Sequence, residues 1–300
     1  MLPNEKSCPP VENSPKSVSV KAFVLPEEHW VQLDGVKMRY LRCGSGPNLL
    51  LLHGLLGYSF SWRFTLPALG LTRTVYAPDM PGFGFSEFSN RLDCCFSASA
   101  GRLLRFMDVA GIDSCDLLGT SFGGAVAMIA AATQSFRIRR LILVDPVNPW
   151  SAHGRTLAAI LGLAPVRPVM RTLGPQMRFL RPWVLQRLYG DVARISPGTL
   201  EGYSRPFELP GAFRATTSIL SSWGRDVEAM RSIFPRIANL PTLLIWGDLD
   251  RAVDPNSAPF LQRQFNNSKL VMLKGVGHLP YEEVPDDFNR VVMEFLANQR

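Results

Sequence analysis

Short apolar runs alternate with helical stretches along most of this chain. Trp30-Val31-Gln32-Leu33 and the run Val36 to Leu41 flank Asp34-Gly35, a turn pair that predicts a β-hairpin. Further strands are predicted at Asn48–Leu52, Thr74–Ala77, Cys115–Leu118, Leu141–Val144, Thr242–Trp246 and Leu270–Leu273. Each later strand is followed by a polar or glycine-containing turn and then a helical pattern. Continuous apolar strands separated by helices imply a mostly parallel sheet covered on both faces. About eight strands are expected, the first pair antiparallel.

One segment breaks the alternation. Between Val144 and Thr242 the strand signal disappears, and helical patterns run near Arg155–Leu163, Pro175–Tyr189 and Gly211–Ser222. A long structureless loop is improbable inside a compact domain, so an inserted helical cap over residues 147–232 is expected. Residues 29–146 and 233–300 then form the core, and residues 1–28, with Pro9-Pro10 and Pro15, read as a flexible lead-in. The cap is rich in large apolar residues, among them Trp150, Met170, Met177, Trp183, Phe213 and Trp223, some of which could line an acyl pocket.

Composition narrows the class. Three hundred residues at 46% hydrophobic and 19% charged describe a globular chain able to bury a large core. No 18-residue apolar run is present, so no integral membrane span is expected. The N-terminus lacks an apolar stretch behind a basic start, so no secretory signal is expected. Five cysteines, an odd number without a C-x-x-C spacing, favour reduced thiols and a cytoplasmic setting. The net charge of +7 is concentrated: Val147–Ser232 holds eleven arginines, no lysine and five acids, a net +6. Zinc-finger spacing and aromatic-interleaved basic motifs are missing, so nucleic acid is not an expected partner. The arginines read as a solvated helical surface, with an anionic substrate or an anionic surface as the sharper alternatives. The stretch Met177–Leu188 alternates Arg178, Arg181 and Arg187 with Phe179, Leu180, Trp183, Val184 and Leu185. It reads as a cap helix with its arginines in water; weak contact with an anionic membrane surface is the alternative.

The chemistry centres on Gly119-Thr120-Ser121-Phe122-Gly123. An apolar run precedes it and small residues follow, which reads as strand, sharp turn, helix. Such a turn holds the serine hydroxyl up at the end of the sheet as a nucleophile. Five residues of this kind recur by chance, so the partners decide. A serine needs a base. Of His29, His53, His153 and His278, the last lies in Gly275-Val276-Gly277-His278 just after the final strand, at the sheet edge where such sites gather. His53 instead shapes a loop. Asp145, Asp248, Asp250 and Asp254 all follow strands, and spacing leaves the orienting acid open among them. The oxyanion donors are the amides of Phe122, at a helix N-terminus, and Leu55, in the turn His53-Gly54-Leu55-Leu56-Gly57. Tyr58 and Trp62, just past that turn, and Trp150 and Trp183 in the cap are expected to wall the substrate pocket.

From Val31 to Leu296 these motifs, in this order, resemble the α/β-hydrolase fold superfamily, in its capped esterase- and lipase-like branch. The motifs are Leu51-Leu52-His53-Gly54, Asp79-Met80-Pro81-Gly82-Phe83-Gly84-Phe85-Ser86, Gly119 to Gly124, Gly247-x-x-Asp250, and Gly277-His278 with Pro280. The resemblance implies Asp250 as the acid, ahead of Asp248 and Asp145. Relatives that open epoxides or remove halide carry aspartate at the elbow, so Ser121 disfavours those activities. C–C bond hydrolases have small residues where Leu55-Leu56 stands, and haloperoxidase-like members have Met where Phe122 stands. The expectation is a serine carboxylesterase acting on a small-molecule ester, with no cofactor and no metal. The alternative is a C–C bond or thioester hydrolase for an anionic acyl substrate. A noncatalytic ligand-binding member is set aside because every triad position is filled.

Overall fold

The computed structural model describes residues 24–209 and 211–297. β1 (Glu27–Leu33) and β2 (Val36–Cys43) pair antiparallel around Asp34-Gly35, whose backbones both take positive φ, 53° and 75°, as a two-residue hairpin requires. β1 therefore begins inside the segment expected as lead-in; residues 1–23 of that segment lie outside the described residues. β3 (Asn48–Leu52), β4 (Thr74–Pro78), β5 (Cys115–Thr120), β6 (Ile138–Val144), β7 (Thr242–Gly247) and β8 (Ser268–Leu273) complete one sheet of order β1-β2-β4-β3-β5-β6-β7-β8. β2 also pairs antiparallel with β4, and every later pairing is parallel. β4, β5 and β7 are buried along their whole length, which explains their unbroken apolar runs.

Alternate residues of one strand feed opposite apolar layers. Leu50 and Leu52 join the layer containing α1 (Phe96–Val109) and α2 (Phe122–Thr133). Leu49 and Leu51 join the layer that holds Trp62, Tyr281 and the C-terminal helix Pro285–Ala297. This is the period of two of a strand buried on both faces.

Between β6 and β7 the chain is helical. α3 (Arg155–Leu161), α4 (Val166–Leu173), α5 (Arg181–Leu188), α6 (Thr199–Ser204) and α7 (Ala212–Ala229) follow one another, joined by short 3₁₀ turns. Three of these match the predicted patterns; α4 and α6 were not predicted. Pro165 and Pro168 look like helix breakers in sequence, yet they stand at the cap and in the first turn of α4, where a missing N–H costs nothing. Met177–Leu188 does not form one amphipathic helix. Arg178–Leu180 is a separate 3₁₀ turn, and Pro182 starts α5 at Arg181.

At the end of β5 the chain turns sharply into α2. A Cβ on Gly123 would press on the carbonyl oxygens of His53 and Leu52, 2.6 Å from the latter. Both are backbone and cannot yield. Gly123→Ala should lower stability by roughly 1–3 kcal/mol. A shift of the urea midpoint at unchanged slope would measure it, whereas an unmoved midpoint would show that the elbow can relax.

Candidate active site

Ser121 sits between β5 and α2 with φ 53° and ψ −121°, one of four non-glycine residues at positive φ among those described. Hydrogen bonds over-determine this backbone. Ser121 N–H donates to Val144 O at 2.9 Å, and Ser121 O accepts from Gly124 and Val147 N–H, both at 3.0 Å. The β3 loop reaches the same point: a Cβ on Gly54 would lie 3.2 Å from Ser121 Cβ.

That loop is held by His53. Its Nε2 accepts the Met80 N–H at 3.0 Å, so Nδ1 carries the proton and donates to Gly54 O at 2.8 Å. Burial lowers its pKa, which keeps the ring neutral and the tautomer fixed. Gly57 N–H closes the turn onto Gly54 O at 3.0 Å, with Leu56 at φ 63°. The Phe122 side chain is core, edge-on to Phe96 at 5.2 Å, and only its amide, the first of α2, is left for chemistry.

Beyond β7 and β8 the structure brings Asp250 and His278 together. His278 Nδ1 and Asp250 Oδ2 are 2.8 Å apart, both side chains buried. Asp250 Oδ1 accepts from Ala252 and Val253 N–H at 2.6 and 3.1 Å. Of the other three carboxylates, Asp248 accepts from Gly275 N–H and faces solvent, and Asp254 caps the turn at Asn256. Asp145, at the end of β6, is different. It is fully buried, its φ is 43°, and its Oδ1 accepts from Gly247 N–H at 3.0 Å. Its Oδ2 has no N–H partner. Burial first, and then the charge of Asp250, raise its pKa well above the carboxylate range, so it keeps a proton that it can give to Asp250. Ligand atoms of Asp145, Asp250 and His278 lie within 4.8 Å of one another, the one grouping of metal-donor type among the described residues. Two of these atoms, His278 Nδ1 and Asp250 Oδ2, are already hydrogen-bonded to each other.

Two carboxylates that sequence reasoning passed over organise the surroundings. Glu283 accepts N–H bonds from Gly277, Gly190 and Asp191 at 2.6, 2.9 and 3.2 Å, tying the histidine loop to the end of α5. His278 N–H also donates to Leu188 O at 2.7 Å. Glu282 pairs with Arg63 and accepts from Tyr203 Oη at 2.8 Å; burial raises its pKa against the pull of Arg63. The sequence signal for both was Pro280-Tyr281-Glu282-Glu283, a proline-started turn with acids at its N-terminal end.

Ser121 and His278 face one cavity of about 640 Å³. Leu55 and Leu56 line it from the core, and Met170, Met177, Leu180 and Phe213 from the insert. The four residues expected to wall it do not. Tyr58 is buried beside it, stacked on Phe60 and donating to Gly202 O. Trp62 is fully buried behind Tyr281, whose ring lines the cavity in its place. Trp150 packs on Phe234 under the Arg231 guanidinium. Trp183 is 60% exposed. The tryptophan on the wall is Trp223.

Residues 47–285 match the alpha/beta hydrolase fold family, and the chain belongs to it. It is 28% identical to a 2-hydroxy-6-oxo-2,4-heptadienoate hydrolase of Pseudomonas putida, over 89% of this chain and 95% of that one. It is 27% identical to a pimeloyl-[acyl-carrier protein] methyl ester esterase of Aeromonas hydrophila, over 85% and 98%. Among solved structures it is similar to a membrane phospholipase A, with a TM-score of 0.77 and 27% identity over 90% of this chain and 86% of that one. Family and relatives make this chain a hydrolase, while the relatives' activities extend to haloalkane dehalogenases.

Asp145 and Glu283 generate two predictions. A raised folded pKa gives stability that is full below the usual carboxylate range and is lost as pH rises. Asp145→Asn cannot ionise, so it should gain on the parent as pH rises above the usual carboxylate range, by up to about 1.4 kcal/mol per pH unit. Urea midpoints across that series measure the slope, and a flat difference would contradict the protonated carboxyl. Glu283→Ala strands the buried Gly277 amide and two part-buried ones and should cost roughly 1–3 kcal/mol. It should also lower kcat, because the His278 loop loses its tether to the insert. Full kcat in the folded variant would remove Glu283 from that role.

Proposed function

We propose that this chain is a serine hydrolase that cleaves carboxylic esters of apolar acids through an acyl-enzyme. His278 Nε2 takes the Ser121 proton as Oγ attacks the ester carbonyl. Asp250 accepts Nδ1–H and steadies the imidazolium. The Phe122 and Leu55 amides receive the oxyanion, the former aided by the positive end of α2. The alcohol leaves with the proton from His278, and water repeats the sequence on the acyl group.

The observation that carries this reading is the meeting of Ser121 and His278 on one apolar wall, with Asp250 2.8 Å behind the imidazole. The lining also bears on the alternative. An anionic acyl substrate needs cationic donors free to receive it, and the cavity is lined by Arg155 and Arg181. Both spend donors on the protein's own carbonyls, Arg155 on Pro149 O and Arg181 on Ser204 and Pro175 O. A neutral apolar acyl chain therefore fits better than a dienoate. The likeness to an esterase and to a membrane phospholipase A supports the same substrate class. The odd, unspaced set of five cysteines supports a reducing, cytoplasmic compartment.

A p-nitrophenyl ester series tests the reading. Each methylene moved from water into the cavity contributes about 0.8 kcal/mol. The octanoate should therefore exceed the acetate in kcat/KM by at least about a hundredfold. Ser121→Ala should remove at least about 10⁴-fold of kcat. Near-full activity of that variant would end the assignment.

A further inference from the structure

The outer face of the helical insert differs from the rest of the surface. The 41 residues Trp150–Gly190 contain six arginines and no lysine, aspartate or glutamate. Eight of the nineteen exposed large hydrophobics among the described residues fall between Leu157 and Val184. α3 and α4 pack against α7 and leave Ile160, Val169 and Leu173 at the surface, while Phe179 is 75% exposed. α3 and the stretch Val166–Gln176 meet at 86°, and together they are apolar enough for a membrane segment. No single helix among the described residues is long and apolar enough to cross one.

The cavity opens on this face. Leu157 of α3 and Val184 of α5 both line it, yet they are 61% and 44% exposed, so they form two lips of a mouth. Beside the mouth the Arg187 guanidinium stands 5.7 Å over the Trp183 ring. An indole at headgroup depth with an arginine reaching outward is the pairing that suits a membrane interface.

A second copy of the chain does not suit this surface. A two-fold contact sets the same patch against itself, and here it would oppose two arginine sets whose nearby acid, Glu208, already pairs with Arg178 at 3.4 Å. A bilayer with anionic headgroups matches both features at once, taking the arginines at its surface and the apolar side chains at the acyl boundary.

We propose that the α3–α5 face docks the protein on anionic lipid membranes with the cavity mouth turned toward the lipid. Docking itself requires no turnover; only the entry of lipid-like esters through that mouth rests on the ester reading. Co-sedimentation of the Ser121→Ala protein with phosphatidylcholine vesicles, with and without about 30 mol% phosphatidylserine, is the test. At about 20 mM NaCl, partition onto the anionic vesicles should be at least about tenfold higher, and about 500 mM NaCl should abolish the difference. Phe179→Glu/Trp183→Glu should lower it about tenfold, and so should Arg178→Glu/Arg187→Glu. All four side chains are exposed, so both variants should keep the parent's thermal midpoint. Absence of binding at low salt, or binding unchanged in both folded variants, would overturn the proposal. So would a vesicle-free dimer that shields Trp183. Because sedimentation reads binding and the ester series reads turnover, either proposal can fail without the other.

Discussion

Everything in the site is referred to one strained residue in the middle of the sheet. A non-glycine backbone at φ 53° costs on the order of 1–3 kcal/mol, and it persists only where its surroundings over-determine it. Here β5 lies between β3 and β6, and both neighbours contribute. The Val144 carbonyl at the end of β6 takes the Ser121 amide, and the β3 loop comes close enough that a Cβ on Gly54 would lie 3.2 Å from the serine Cβ. The parallel register makes this possible, because the carboxyl ends of adjacent strands finish at the same edge. The same register brings β7 beside β6, and with it Asp250 beside Asp145.

The second organising contact is Glu283. A carboxylate that accepts one amide from the histidine loop and two from the residues just after α5 makes the His278 loop and the insert a single unit. That side of the cavity is fixed by backbone hydrogen bonds. The opposite lip has another character: α3 and α4 rest on α7 through apolar packing and expose their outer faces. A cavity with one hydrogen-bonded wall and one packed wall can admit a bulky chain from the packed side without disturbing the distance from His278 to Asp250.

The strands were legible because burial on both faces imposes a pattern that turns and helices do not mimic. The hairpin at Asp34-Gly35, the elbow and the Gly277-His278 turn were legible for a related reason: each needs particular backbone chemistry at a fixed place. The pocket was not legible. Large aromatic rings near the oxyanion turn satisfy the core and the cavity equally well by composition. Which one they meet depends on packing of the following turn, which sends Trp62 against Tyr281 and Tyr58 against Phe60. Leu55, Met170 and Met177 carry no mark that separates a wall from a core. Met177–Leu188 failed differently, since Pro182 starts a new helix after the separate turn Arg178–Leu180, in a pattern that the charges alone made look continuous.

Among the four carboxylates the family resemblance pointed to Asp250, and the physical reason for that choice lies in three dimensions. Asp145 and Asp250 end adjacent strands and face each other behind one imidazole. Two unit charges within 4.8 Å of each other repel by at least about 3–4 kcal/mol at an effective dielectric near 20, so the pair does better holding one proton. Its location follows from the donors each side chain meets. Asp250 has two backbone amides and the imidazole N–H; Asp145 has a single amide and an oxygen with no N–H partner. The charge therefore rests on Asp250 and the proton on Asp145. In the proposed mechanism one anion then faces the imidazolium, and the net charge of the site stays at a single negative charge through that step. Asp145 thus supports the acid by being neutral, a role set by the pairing of β6 with β7 and invisible in a sequence where it is one more aspartate after a strand.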